Sequence, residues 1–441
     1  MSLLLSFYGD DLTGSTDAME ALASRGVATV LFTAPPSPDD LARFPEARAA
    51  GVAGTSRSQT PSWMDRELAP AFAALRALGA AVCHYKVCST FDSSPAVGSI
   101  GHAADLGAIA FGQDLVPLLV GAPELRRYTA FGQLFAAYRG DTFRIDRHPV
   151  MSRHPVTPMA EADLRLHLAA QTSSRVGLVD LATLSGPSPD EAVDRAAAGG
   201  GLLLLDVIDA DTQAAAGRQL WRLATGGRRF VVGSSGVEYA LLREWARLGL
   251  APGTASFAAV GPTERLAAVS GSCSPTTEAQ IRAALGDGFE GVAVDPRELL
   301  GEGSAAAVGG AVAEGLAILA RGRSPLVYTA LGPATDLGPA LGTAGHGRHA
   351  IGGGLGRILR ALVEQARLSR AVVAGGDTSS HALRELELFA LTTRRPIPMS
   401  PGSPLCRGAS GVAAFDGIEI AFKGGQIGDD AYFSRIRDGR L

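Results

Sequence analysis

Two carboxylates stand side by side near the start of the chain, in Gly9-Asp10-Asp11-Leu12-Thr13-Gly14. Adjacent carboxylates repel unless a cation or a substrate hydroxyl engages them. One of Asp10 and Asp11, with Asp11 preferred, is therefore the candidate to accept a hydroxyl proton or orient an attacking oxygen. The competing expectation is that one of them only caps the helix that follows. Arg57, in Thr55-Ser56-Arg57-Ser58, offers a guanidinium fork suited to a carboxylate, and Lys86 adds a compact positive charge. Ser89 and Thr90 supply hydroxyls for a polyol. Together these residues outline a pocket for a small, anionic, hydroxylated molecule, with Asp10 and Asp11 as catalytic candidates.

Three Gly- or hydroxyl-rich turns follow apolar runs in the second half. They are Ser270-Gly271-Ser272-Cys273-Ser274-Pro275-Thr276, Gly375-Gly376-Asp377-Thr378-Ser379 and Lys423-Gly424-Gly425-Gln426-Ile427-Gly428. Glycine lets backbone N–H groups approach phosphate oxygens, and a helix beginning there points its positive end at them. Nucleotide-phosphate binding is expected at these turns. No G-x-x-x-x-G-K-[ST] is present, which excludes a P-loop enzyme. Gly352-Gly353-Gly354-Leu355-Gly356 misses the dinucleotide spacing and reads as a flexible loop.

The elements that must position these groups alternate between strand-like and helical patterns, which predicts α/β architecture with mainly parallel sheets flanked by helices. Strands are expected over 3–8, 28–32, 50–54, 81–87, 115–120, 176–181, 201–207 and 230–233. After a Pro/Gly-rich linker the rhythm restarts, with strands over 266–271, 291–294, 326–330, 371–374 and 418–422, and helices over 276–285, 303–319, 355–368 and 380–388. Two domains result, 1–250 and 262–441, with a cleft between them. Most of 139–158, rich in Arg, His and Pro, is expected to be surface loop.

Composition narrows the function classes. The 441 residues are 46% hydrophobic and 19% charged, with 55 glycines and a net charge of -4. No basic block points to nucleic acid or an anionic membrane. The four cysteines show no metal-ligand spacing, and His148, His154 and His167 make no convincing metal set, so no metal ligands are assigned. The first apolar run is cut short by Asp10-Asp11, and no other reaches the ~18 residues of a membrane span. A cytoplasmic protein with reduced thiols is expected.

These segments resemble, in order along nearly the whole chain, the four-carbon acid sugar kinases. The resemblance rests on Gly9–Gly14 as quoted above, Lys86-Val87-Cys88-Ser89-Thr90-Phe91-Asp92-Ser93, His154-Pro155-Val156-Thr157-Pro158-Met159, and the three turns of the second half. It implies an N-terminal acid-sugar-binding domain with contacts at Asp11, Arg57, Lys86 and Ser89. It also implies a C-terminal ATP-binding domain with contacts at Ser272, Gly375, Gly376, Asp377, Thr378 and Gly425, beside Gly424. ATP and Mg²⁺ would serve transfer to a terminal hydroxyl of a small 3-oxo acid sugar. Where 3-oxo-tetronate kinases read Gly-Asn-Ile-Gly, this chain has Gly98-Ser99-Ile100-Gly101. That departure keeps open a branched acid such as 3-oxo-isoapionate, beside threonate or erythronate. The rivals are a sugar-acid dehydrogenase, which lacks its G-x-G-x-x-G here, and a non-catalytic sugar-acid-binding protein. Partners are expected to be the acid sugar and ATP alone, with a homo-oligomer left open.

Overall fold

The computed structural model describes residues 2–337 and 346–441 and divides into two compact units, Met1–Ala255 and Ser256–Leu441. The first unit is built on eight parallel strands: β1 (Leu5–Gly9), β2 (Thr29–Phe32), β3 (Ala49–Ala53), β4 (Val82–Lys86), β5 (Leu115–Leu119), β9 (Val176–Val179), β10 (Gly201–Leu205) and β11 (Phe230–Gly233). Their order is β2-β3-β1-β4-β11-β5-β10-β9, and each neighbouring pair is parallel. β1, β4 and β5 are buried along their whole length, which is why β1 and β5 read as apolar blocks rather than alternating strands, while β4 also buries His84 and Lys86.

The core on one face centres on Phe72, whose ring meets those of Tyr85 and Phe230 at centroid distances of 5.5 and 4.9 Å. From β1 the chain crosses to β2 on one side, and from β3 it crosses over β1 to β4 on the other. That reversal opens a crevice at the carboxyl end of β1, where open α/β sheets bind ligands.

The second unit repeats this plan. β12 (Ala267–Ser270), β13 (Phe289–Ala293), β14 (Ser324–Tyr328), β15 (Arg370–Ala374) and β18 (Glu419–Lys423) run parallel in the order β13-β14-β12-β15-β18. β12 stands where β1 stood, and its carboxyl end lies beside that of β15. Two antiparallel strands, β17 (Leu405–Ser410) and β16 (Leu388–Arg395), extend the sheet beyond β18.

Three features depart from the sequence expectations. Within 127–144 the chain forms an antiparallel sheet, β6 (Arg127–Ala130), β7 (Gln133–Tyr138) and β8 (Asp141–Arg144), so the expected 139–158 loop begins at a hairpin turn and contains a strand. β16 and β17 were not anticipated, because their mixed burial blurs the apolar block that marks a parallel strand. The Gly352–Gly356 stretch is not a loop: it lies within the helix His346–Ala366. A Cβ at Gly352 would come within 2.7 Å of His381 Cβ, and one at Gly356 within 2.8 Å of Ala382 Cα. These glycines let that helix pack closely on the helix Gly376–Glu385, and the packing outweighs their poor helix propensity.

Candidate active site

β1 ends at Gly9, and Asp11 caps the helix Leu12–Ser24 by accepting from the Gly14 amide at 2.5 Å. Apolar Leu12, Ala18, Met19 and Leu22 bury one side of that helix, and Gly26 just beyond it adopts φ 79° to end it. The second oxygen of Asp11 accepts from Arg57 Nη1 at 2.9 Å. Arg57 itself sits in a short turn after β3, and its Nη2 donates to both oxygens of Asp92 at 2.9 and 3.0 Å. One guanidinium therefore bridges two carboxylates. Asp92 is buried and also accepts from Thr90 Oγ1 at 2.5 Å and Thr157 Oγ1 at 3.2 Å.

Asp10 is buried, and its Oδ1 has no hydrogen-bond partner among the described residues. Burial, reinforced by the neighbouring Asp11 charge, pushes its carboxyl up to about 7. Asp11 moves the other way. Burial alone would raise it, but Arg57 and the Gly14 amide hold it below the usual range. The two carboxylates thus separate into one that titrates near neutrality and one that favours its charged form.

Lys86 closes β4; its Nζ donates to Val87 O at 3.1 Å and stands 4.0 Å from Asp17 Oδ2. A Cβ at Gly14 would lie 2.8 Å from Asp11 Oδ1, 3.0 Å from Lys86 Nζ and 3.7 Å from Asp10 Oδ1, so the bare Cα of Gly14 leaves room among all three.

The structure brings Asp10, Asp11, Arg57 and Lys86 together at the carboxyl ends of β1, β3 and β4. Thr90 joins them through Asp92, its hydroxyl spent on that carboxylate, and half-buried Ser89 lies in the same turn. Sequence reasoning passed over three members of the cluster. Asp92 and Thr157 lay within quoted segments, whereas Asp17 is marked only by its spacing of seven from Asp10, which the helix turns toward Lys86.

In the second unit, β12 leads into Ser274, which caps the helix Pro275–Leu285 by accepting from the Thr277 amide at 3.0 Å. Ser274 Oγ and Thr277 Oγ1 both donate to Gly425 O, the latter at 2.9 Å, tying the turn after β18 to that helix's first turn. Gly375 has φ 116°, a conformation that L side chains rarely adopt. A Cβ there would come within 2.9 Å of Thr378 Oγ1 and 3.4 Å of the Ser272 amide nitrogen. One at Gly425 would come within 2.7 Å of Ser272 Oγ. Ser272, Gly375, Thr378 and Gly425 are thus one cluster, with Gly376 starting the helix Gly376–Glu385 and Gly424 beside Gly425. At Gly376 a Cβ would meet nothing within 4 Å. Asp377 is exposed on that helix's first turn. Open space over Gly376 at a helix start, beside the cluster of Ser272, Gly375, Thr378 and Gly425, fits a phosphate chain. Among the described residues no group of three His, Cys, Asp or Glu could hold a metal ion.

Residues 5–241 match the model of a sugar-binding N-terminal domain, and residues 267–433 match that of a nucleotide-binding C-terminal domain. The chain belongs to the two-domain family that these models define. The 3-oxo-isoapionate kinase of Paraburkholderia graminis is 47% identical to it over 449 residues, covering 100% of this chain and 95% of that protein. The 3-oxo-tetronate kinase of Methylobacterium radiotolerans is 32% identical, covering 99% of each. In fold, the chain is similar to a Salmonella typhimurium LT2 protein described as a tRNA synthase. The TM-score is 0.77 with 24% identity over 98% of both chains, a likeness that concerns the fold alone. No helix among the described residues is long and apolar enough to cross a membrane.

Proposed function

We propose that this acid sugar kinase transfers the γ-phosphoryl group of ATP, carried with Mg²⁺, to a terminal hydroxyl of a branched 3-oxo acid, 3-oxo-isoapionate. The observation that carries the chemical part is the Asp10 carboxyl, buried, unpartnered at Oδ1 and raised to about 7 beside a charged Asp11. The choice of acid rests on 47% identity to a 3-oxo-isoapionate kinase, against 32% to a 3-oxo-tetronate kinase.

Asp10 accepts the proton of the attacking hydroxyl as the oxygen bonds to phosphorus. A base titrating near the working pH suits that task. Asp11 is a positioning residue: it fixes the start of the helix Leu12–Ser24 and holds Arg57 in place. Lys86 and Arg57 hold the sugar's carboxylate, Lys86 with an ammonium donor left over and Arg57 with N–H groups not taken by Asp11 and Asp92. Ser89 and the Thr90–Asp92 pair meet its hydroxyls. On the second unit, the amides around Ser272, Gly375, Gly376, Thr378, Gly424 and Gly425 receive the phosphates. Mg²⁺, when bound, neutralises phosphate charge, and the protein otherwise contributes positioning and fixed donors.

The test is ADP release from a panel of 3-oxo-isoapionate, 3-oxo-tetronates, threonate and erythronate. The highest kcat/KM should fall on 3-oxo-isoapionate. A preference for a four-carbon acid would overturn the choice of substrate, and no ADP release with any of them would overturn the wider reading.

A further inference from the structure

Beneath the Gly424-Gly425 turn lies a charged group with no task so far. Lys423 ends β18, and its side chain has no exposed surface. Burying an ammonium costs several kcal/mol unless an anion or a full set of acceptors compensates. The partners that the structure gives its Nζ are Thr277 Oγ1, which accepts at 3.1 Å, and the ring of Tyr432, whose centroid is 5.7 Å away. An ammonium has three donors, and that single hydrogen bond occupies one. Burial draws the ammonium down to about 8, and no neighbouring charge among the described residues raises it again. Across the sheet its register partner on β15 is Ala374. On the neighbouring elements Glu278 pairs with Arg282, Arg370 with Glu419 and Arg437 with Asp438, while Asp429 pairs through Oδ2 with Arg435 and keeps a buried Oδ1 without a partner among the described residues.

Thr277 passes the interaction on. Its hydroxyl accepts from Lys423, so its proton goes to Gly425 O at 2.9 Å. Ammonium, hydroxyl and glycine turn form one chain that ends at the start of the helix Pro275–Leu285, itself a positive pole. A fixed cation, a helix start and a glycine turn converge, with no anion supplied by the described residues.

We infer that Lys423 is a positioning residue whose buried positive charge makes this turn selective for a di- or triphosphate, with the ligand's charge completing an otherwise uncompensated site. The inference rests on the nucleotide reading above, and it concerns affinity for the phosphates rather than for the nucleoside. Anion binding favours the protonated amine, so affinity must fall as pH rises past the amine's value in the free protein.

Calorimetric titration with ADP and with adenosine at pH 7.5, 8.5 and 9.5 tests this. ADP stays fully ionised over that range. Cys273, held at about 12 by burial with Asp336 beside it, and His381, lowered to about 4, do not titrate there either. Wild-type ADP affinity should weaken toward a limit of about tenfold per pH unit above pH ~8, while any adenosine affinity stays level. Lys423→Met should bind ADP at least about tenfold more weakly at pH 7.5 and lose the slope. Lys423→Arg, which keeps its charge throughout, should bind ADP with no fall at high pH. A level wild-type ADP profile, or a folded Lys423→Met that keeps both affinity and slope, overturns the inference. If Lys423→Met does not fold, the wild-type profile and Lys423→Arg decide. A wild type that binds neither ADP nor ATP refutes the nucleotide reading itself.

Discussion

Replacing Asp10 by Asn should stabilise the protein and abolish its turnover, and the two effects share one cause. The carboxyl sits at about 7 in the folded chain against 3.8 for an ordinary aspartate. Three pH units at ~1.36 kcal/mol each make about 4 kcal/mol, the cost of ionising Asp10 in its buried setting. Between those two values the native state holds a proton that the unfolded chain has released. Wild-type stability therefore falls as pH rises from about 4 to about 7 and is level above. Asn carries no such cost. If its NH₂ finds no acceptor, ~1–3 kcal/mol is lost again, leaving a net gain of about 1–3 kcal/mol at pH 8. For a unit spanning Met1–Ala255 that corresponds to a rise in Tm of roughly 2–6 °C.

Scanning calorimetry of both proteins at pH 5, 6.5 and 8 should show a gap that widens with pH. Turnover of the variant should drop ~10²–10⁴-fold, and wild-type kcat/KM should climb through pH ~7 to a plateau. A stability gap independent of pH would refute the assignment of a raised carboxyl to Asp10. A variant retaining more than a tenth of wild-type turnover would refute its role as base.

Asp11→Asn keeps an acceptor for the Gly14 amide and loses only the charge facing Arg57, so kcat should fall about tenfold or less, well short of the Asp10 effect. The reverse ranking in ADP-release assays would exchange the two roles. Arg57→Lys keeps the charge but cannot bridge Asp11 and Asp92 together; KM for the acid sugar should rise more than kcat falls, and an analogue without the carboxylate should be spared. Equal sensitivity of both substrates would show that Arg57 does not read the carboxylate. Gly376→Val adds a side chain into open space, so its melting temperature should stay within a few degrees while ATP affinity drops strongly. Retained affinity in calorimetry would remove the phosphates from that turn.

Much of the scaffold is readable from the chain because buried parallel strands are short apolar blocks, and here most of them end in turns bearing Gly, Asp, Ser or Lys. β1, β4, β12, β15 and β18 all follow that pattern, and each delivers polar groups at its carboxyl end. β16 and β17 escaped because antiparallel strands of mixed burial lack the block, and β6 to β8 escaped for the same reason. The glycines at 352–356 misled because local propensity says loop, whereas close contact with His381 and Ala382 makes small residues an asset within a helix.

The same division holds at the site. By itself the sequence determined which chemical groups are available and at which strand ends they emerge: two adjacent aspartates, an arginine, a lysine and three glycine turns. Only the tertiary structure decided their states. Arg57 meets Asp11 across 46 residues of sequence and Asp92 across 35, and Thr157 reaches Asp92 across 65. Those encounters leave Asp11 charged. Asp10 keeps its proton to about 7 because burial strips it of water without supplying a partner for Oδ1. Lys423 lies buried against a hydroxyl and a ring, with no counter-charge among the described residues, for the same kind of reason. Residue type sets what a group can do; burial and distant neighbours set its protonation, and neither is written in local spacing.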